Sequence, residues 1–397
     1  MDNDLIKKAI CKFKTPFYLY NEKEITNSIH TLTDTLPETA QLFYSLKANP
    51  NLKIIKLIRK QKVAVEVSSI GEIKRALKAG VKPWSIIFSG PGKQKEELQY
   101  AIKKGVFCIN VESLDEIKLI NKIGMERSVI VNVAIRINPN LNSSKTSIKM
   151  TGIASQFGID EASIDETIRI AKKLKNIKII GIQLYSGTQL LNYEDILFNT
   201  KTCIEYSRCI SEKHQLDFSY INFGGGFGIP YFNGEQNLDC YRLKLGLEQL
   251  FCENNQYLKN MRCVFESGRF LIADAGVFVT KILYKKISHG KIFLVCDGGS
   301  NFHANSAFLG RRVRYNFPIT VITKETIEAT ELVTITGPLC TPTDVIAQDI
   351  LLPQCNSGDY IVVEKSGAYG LTNSPVLFIS HPKPVEALFI NEEWKEV

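Results

Sequence analysis

The 397-residue sequence predicts an α/β protein: a (β/α)8 TIM barrel followed by a mostly antiparallel β domain. Three observations carry this expectation. Short apolar runs rich in Val, Ile and Phe alternate with amphipathic helical runs through the first two thirds of the chain. Eight such units fill about 230 residues, close to the about 250 that a closed barrel takes. Beyond about residue 270 the helical period fades, and β-rich segments separated by Gly and Pro turns take over.

The units follow in order. QLFYSL (41–46) leads into LKIIKLIRKQ, and VAVEV (63–67) into IGEIKRALKAG. SIIFS (85–89) precedes KQKEELQYAIKKG, and VFCINV (106–111) precedes SLDEIKLINKIG. VIVNVAIRI (129–137) is followed by a long loop and ASIDETIRIAKKLK. IKIIGIQLY (177–185) and FSYINF (218–223) each precede a long helical run, and RCVFE (262–266) is the eighth strand. An open doubly wound sheet is the competing architecture. Its dinucleotide fingerprint is missing, because the first strand runs into KANPN and GGGFGI has Ile229 where the last glycine belongs. The expected boundaries are a barrel over residues 22–268 and a β-rich domain made of 1–21 plus 269–397, to which PFYLY (16–20) adds a strand.

Composition narrows the function. Hydrophobic residues make up 44% and charged residues 23%, an ordinary balance for a water-soluble chain. The opening MDNDLIKKAICKFK lacks the apolar core of a secretory signal, and no run of apolar residues is long enough to span a bilayer. A cytoplasmic location is expected. The ten cysteines form no CxxC pairs, which reads as free thiols, with no disulfide framework and no zinc site. The net charge of +8 comes from short groups such as LIRKQK and GRRVR, without the aromatic-basic pattern of a nucleic-acid module.

FYSLKANPN (43–51) places an ammonium group, Lys47, at the end of an apolar strand. Snorkelling to water is the ordinary explanation. In a barrel, however, chemistry gathers at the C-terminal strand ends, and phosphate commonly binds after strands seven and eight. Polar and glycine residues fall on that rim here: Lys47, Glu66, Arg136, Tyr185 with the following SGTQ, Gly224–Gly225–Gly226, and Glu266 with Ser267, Gly268 and Arg269. The glycines let backbone N–H groups approach an anion, or else make a tight strand-to-helix turn. A lysine facing a phosphate ligand suggests a Schiff base to pyridoxal phosphate, and Glu266 supplies the carboxylate that keeps the pyridine nitrogen protonated.

These residues resemble the fold-type III pyridoxal-phosphate decarboxylases, the alanine racemase-like fold that includes diaminopimelate, ornithine and arginine decarboxylases. The likeness runs nearly end to end through YSLKANPN, VEVSSIGEI, RINP, QFGI, GGGFGIPY, ESGRFLIADAG, GPLCTPTDV and SGAYG. It implies pyridoxal 5'-phosphate as cofactor, no metal, and Lys47 as the Schiff-base lysine. Glu66 matches the acid near the cofactor linkage. Thr188, Gly224, Gly225, Gly226, Gly268, Arg269 and Tyr369 match phosphate-binding positions, and Arg136 and Ser267 complete the cofactor-binding set. Glu266 matches the partner of the ring nitrogen. Cys340 matches a cysteine inserted by the second subunit, which implies a homodimer with shared active sites.

Three departures bear on function. Tyr185 stands where the family commonly stacks a His; it retains a π face but cannot be a cation. ESGR replaces EPGR. Thr341 follows Cys340 where enzymes that hold a distal ammonium usually carry an acid, and an unpaired buried ammonium is costly. The chain therefore resembles the subset that acts on conjugated amino acids, carried on a protein or on citrate, in antibiotic and siderophore pathways. Arg311, Arg312 and Arg314 either hold a distal carboxylate or carrier phosphate or are solvated surface residues. His303 and Asp344 join Thr341 as candidate substrate contacts. The expected reaction is α-decarboxylation with Cys340 protonating Cα. The alternatives are a decarboxylase of free diaminopimelate, ornithine or lysine, a racemase, which Glu266 and Cys340 oppose, and a non-enzymatic cofactor carrier, which leaves the β-rich region unexplained.

Overall fold

The computed structural model describes residues 1–140, 154–185, 187–307, 316–323 and 329–397. The chain divides into two units: Ile29–Ile229 with Asn237–Gly268, and Met1–Ser28 with Pro230–Gln236 and Arg269–Val397.

The first unit is a closed parallel barrel. Its strands are β1 (Ala40–Ser45), β2 (Ala64–Val67), β3 (Ile86–Phe88), β4 (Cys108–Val111), β5 (Val131–Asn138), β6 (Ile177–Leu184), β7 (Tyr220–Asn222) and β8 (Arg262–Ser267). Each pairs in parallel with the next, and β8 returns to β1 through Glu266↔Phe43. Closure removes the open edge that a sheet otherwise presents. Several strands are shorter than their apolar runs. Phe223, for example, has already turned toward the glycines, with its N–H donating to the Val264 carbonyl at 2.9 Å. A two-residue strand, Ile159–Asp160, pairs beside β5; so short a piece carries no periodicity to read.

The connecting helices follow from spacing and caps. Leu52–Lys60 buries Ile54, Ile55, Leu57 and Ile58, one face of a 3.6-residue period. The Asn51 side chain caps it by accepting the Lys53 N–H at 3.0 Å. Ser69 and Ser113 cap Ile70–Lys78 and Leu114–Arg127 by accepting the N–H groups of Glu72 and Glu116 at 3.2 and 3.1 Å. Inside the barrel, Phe43, Ile87, Cys108, Ala134, Ile180, Tyr220 and Val264 form one packed apolar cluster. Toward the C-terminal strand ends the buried residues become polar: Glu66, Asn110, Arg136, Gln183, Asn222 and Glu266.

Among the described residues, the second unit is a nine-stranded sheet in which most pairings are antiparallel. Phe17–Asn21 lies between Gly276–Ser288, antiparallel, and Val385–Ile390, parallel, so the segment preceding the barrel does supply a strand to this sheet. The opening segment forms a helix, Asn3–Lys12, capped by Asp2. Its Ile6 and Ala9 pack with Phe17, Leu19, Val277, Val362 and Trp394 in the core of this unit. All ten cysteine thiols are free. Among the described residues, no helix is long and apolar enough to cross a membrane.

The tightest backbone approach in the barrel predicts its weakest point. A Cβ on Gly181 of β6 would collide with the Tyr220 carbonyl of β7, to which Gly181 is paired. Gly181→Ala is expected to destabilise the barrel unit by about 3 kcal/mol or more, read as a fall in the urea unfolding midpoint.

Candidate active site

Lys47 does not end β1; it lies in a single 3-10 turn, Leu46–Ala48, just beyond it. The turn is fastened from below, where the buried Tyr44 hydroxyl donates to the Asn49 carbonyl at 2.8 Å. Lys47 Nζ stands 3.8 Å from Glu66 Oε2, with its side chain 47% exposed and that of Glu66 1%. The amine is thus open to an incoming molecule while its countercharge is buried. Glu66 Oε1 accepts from Ser68 Oγ at 3.2 Å, and Oε2 is buried without a hydrogen-bond partner among the described residues.

Glu72, which sequence reasoning missed, adds a second acid. Its Oε2 accepts the Ser68 N–H at 2.7 Å. Burial pushes its carboxyl up to about 7, against the pull of the Ser68 amide and with the negative charge of Glu66 adding to the rise.

Glu266 ends β8 and is 4% exposed. Its Oε1 accepts from Gln183 Nε2 at 2.8 Å and Asn222 Nδ2 at 2.7 Å. Burial first, and then the charge of Glu66, raise this carboxyl to about 7 against the pull of Lys47, Asn222 and Arg136. Gln183 and Asn222 were also missed. Each is a polar residue at a buried position of a mostly apolar strand, where an amide needs a partner, and that is the signal that would have found them.

Asn222 joins the acid to the glycine triplet, since its Oδ1 accepts the Gly224 N–H at 2.8 Å. The Glu266 N–H in turn donates to the Gly224 carbonyl at 2.7 Å. Gly224 has φ +68°, and a Cβ there would come within 2.6 Å of the Leu184 carbonyl and 2.9 Å of the Tyr185 ring. A Cβ on Gly225 would strike the Glu266 carbonyl. The triplet is thus pressed between β6 and β8, and only glycine fits. Tyr185 is half-buried, with the Arg136 guanidinium 5.8 Å from its ring centre. Thr188 follows Gly187, whose carbonyl faces Gly226. Ser267 Oγ is buried without a hydrogen-bond partner among the described residues, and Gly268 packs against Ala48, next to Lys47.

In the second unit, Arg269 Nη1 donates to the Tyr231 hydroxyl at 3.0 Å, and its guanidinium lies 4.8 Å from the Tyr369 ring centre. Cys340 is exposed, not the buried core thiol that a lone cysteine usually is. Two of the candidate substrate contacts are buried in this unit. Asp344 is buried, with Oδ1 accepting the Ser300 N–H at 2.6 Å and Oδ2 the Leu339 N–H at 2.7 Å, which shapes the GPLC loop. His303 is 1% exposed among the rings of Tyr18, Phe278 and Phe317. Thr341 is half-buried, its hydroxyl 3.0 Å from that of Thr343. Arg311, Arg312 and Arg314 lie outside the described residues.

A family model described as the pyridoxal binding domain of pyridoxal-dependent decarboxylases matches residues 22–273. The chain belongs to this family and is a pyridoxal-phosphate-dependent amino-acid decarboxylase. It is 40% identical to an L-glutamyl-(BtrI acyl-carrier protein) decarboxylase of Niallia circulans, over 100% of this chain and 93% of that protein. It is 31% identical to a 2-((L-alanin-3-ylcarbamoyl)methyl)-2-hydroxybutanedioate decarboxylase of Staphylococcus aureus, over 92% of each. The solved structure of diaminopimelate decarboxylase from Helicobacter pylori complexed with L-lysine superposes with a TM-score of 0.88 at 30% identity, covering 98% of this chain and 95% of that one. The barrel residues suit the cofactor. Glu66 Oε2 and Ser267 Oγ are buried polar atoms without hydrogen-bond partners among the described residues, and the glycine cradle leaves backbone where side chains would stand.

The raised carboxyl of Glu72 sets a pH dependence. In the folded chain it keeps its proton above 4.5, where the unfolded chain has released it. Its stabilising contribution is therefore complete below pH 4.5 and lost as pH rises through about 7. Glu72→Gln is expected to flatten the decline in cofactor-free stability across that window, measured by urea unfolding at a series of pH values.

Proposed function

We propose that the protein removes the α-carboxylate of an L-amino acid whose side chain is conjugated to a larger group, with a glutamyl residue on a carrier protein as the first candidate. The observation that carries this is the neutral segment Thr341-Pro342-Thr343 after the exposed Cys340. It offers hydroxyls and no carboxylate, so a free terminal ammonium would be desolvated without a countercharge. The full-length likeness to the carrier-protein decarboxylase supports the same reading. A free diamino acid is the second reading, supported by the likeness to diaminopimelate decarboxylase.

Pyridoxal phosphate supplies an electron-accepting ring that takes up the pair released when the carboxylate departs as CO2. Lys47 carries it through the exposed amine. Glu266, with Oε1 fixed by Gln183 and Asn222, holds the proton at the ring nitrogen. Tyr185 offers its face to the ring. The N–H groups of Gly224–Gly226, with Thr188, Ser267, Gly268, Arg269 and Tyr369, bind the phosphate. Glu66 sets its carboxylate 3.8 Å from that amine, beside the point of attachment. Cys340, supplied by the second subunit of a homodimer, delivers the proton that replaces CO2 at Cα.

The holoenzyme is expected to absorb near the visible edge, and Lys47→Ala to lose that band. Carrier-linked glutamate should release CO2 faster than free lysine, ornithine or diaminopimelate; efficient turnover of a free diamino acid overturns the conjugate reading. Racemisation without CO2 overturns the reaction itself. Cys340→Ala should retain the cofactor and turn over about 10²–10⁴-fold more slowly, while normal product formation by that variant removes Cys340 from the mechanism.

A further inference from the structure

Glu112 lies one residue past β4, and the proposed chemistry makes no use of it. It is 7% exposed, yet its carboxylate is fully engaged. Oε1 accepts from Gly90 N–H at 3.0 Å and Arg136 Nη1 at 2.9 Å, and Oε2 accepts from Gly158 N–H at 3.0 Å. One side chain therefore ties the segments after β3 and β5 to the guanidinium carried on β5.

Glu112 is itself anchored. Its backbone N–H donates to Glu116 Oε2 at 2.8 Å, and Glu116 Oε1 meets Lys93 Nζ at 2.6 Å. That lysine side chain is 1% exposed and also donates to the carbonyls of Gly90 and Asn110 at 2.6 and 2.7 Å. A buried ammonium with three acceptors costs little further desolvation and moves little. The Arg136 guanidinium is held in turn over Phe157, 4.9 Å from the ring centre, with Tyr185 at 5.8 Å. Its charge also acts on Glu266.

We propose that Glu112 is a positioning residue that fixes Arg136 against Tyr185 and so sets the cofactor-facing side of the barrel mouth. This rests on the reading that Tyr185 and Arg136 line the cofactor site. Without Glu112 the guanidinium keeps its charge and loses its countercharge. The remaining pull on it is toward the acids at the centre of the barrel, Glu266 among them. That would draw Arg136 off Tyr185 and change the field on the ring nitrogen.

A double-mutant cycle on the full-length chain tests this, with Glu112→Gln, Arg136→Gln and the double variant. The readouts are the dissociation constant of pyridoxal phosphate, by absorbance titration of the cofactor-free protein, and the pH midpoint of the bound cofactor's absorbance. Each single variant is expected to weaken binding about 10-fold, and the double to bind within about twofold of Arg136→Gln alone. The pH midpoint should shift in Glu112→Gln and shift no further in the double. Losses that multiply, or a Glu112→Gln variant that binds like the wild type, overturn the proposal. Glu112→Gln that fails to fold while Arg136→Gln folds also overturns it, because the carboxylate then serves the scaffold. If both unfold, Glu112→Asp decides: it keeps the charge one methylene shorter, is expected to bind more weakly, and overturns the proposal if binding is unchanged. A wild-type chain that takes up no pyridoxal phosphate sinks the site reading itself, an outcome distinct from additivity in the cycle.

Discussion

One ammonium group, that of Lys47, stands among three acids, two of which, Glu72 and Glu266, burial has made reluctant to ionise. Glu66 lies 3.8 Å away, and Glu72 and Glu266 both feel the Lys47 charge. In water three carboxylic acids would ionise well below neutrality. For Glu72 and Glu266 desolvation opposes that, and the charge of Glu66 raises both. The charge balance of the barrel mouth is consequently close to a tipping point near neutral pH, where one proton more or less changes the field at the centre. A site that must hold a proton at one place and an unprotonated amine at another gains from such poise.

The surrounding structure keeps that poise from collapsing. Below it, an apolar layer from Phe43 to Val264 closes the barrel and excludes water. At the level of the acids, two amide side chains, Gln183 and Asn222, donate to a single oxygen of Glu266. They stabilise its ionised form without adding charge. Asn222 also accepts from Gly224, so the orientation of the acid and the path of the glycine triplet are one mechanical element. On the β5 side, the Lys93, Glu116, Glu112 and Arg136 chain brings in a cation whose position is set by hydrogen bonds far from Lys47.

The second unit solves a different problem. Its sheet and N-terminal helix make their own core, while the GPLC loop is pinned by Asp344 from within so that Cys340 stays exposed. A buried carboxylate accepting backbone N–H groups is a rigid support. Asp344, a candidate substrate contact in the sequence, gives such support to the loop that carries Cys340. His303 is a similar case. Its ring is packed against three aromatic residues, which a lone histidine in a linear sequence cannot announce.

The sequence by itself determined the order of the barrel strands, the change to a β-rich texture, and the residues that carry local rules. The apolar runs, the Ser and Asn caps, the lysine before Asn-Pro and the glycine triplet all act through neighbours a few residues away, so their meaning survives in one dimension. Tertiary structure alone decided the partnerships. The charge of Glu66 at the end of β2 acts on Glu72 in the helix that follows, Gln183 and Asn222 reach Glu266 from other strands, and Glu112 holds Arg136 from 24 positions away. Those contacts depend on strand register and on closure of the barrel. No local pattern encodes either, because a hydrogen bond or a desolvated charge is fixed by distance in space and not by separation along the chain.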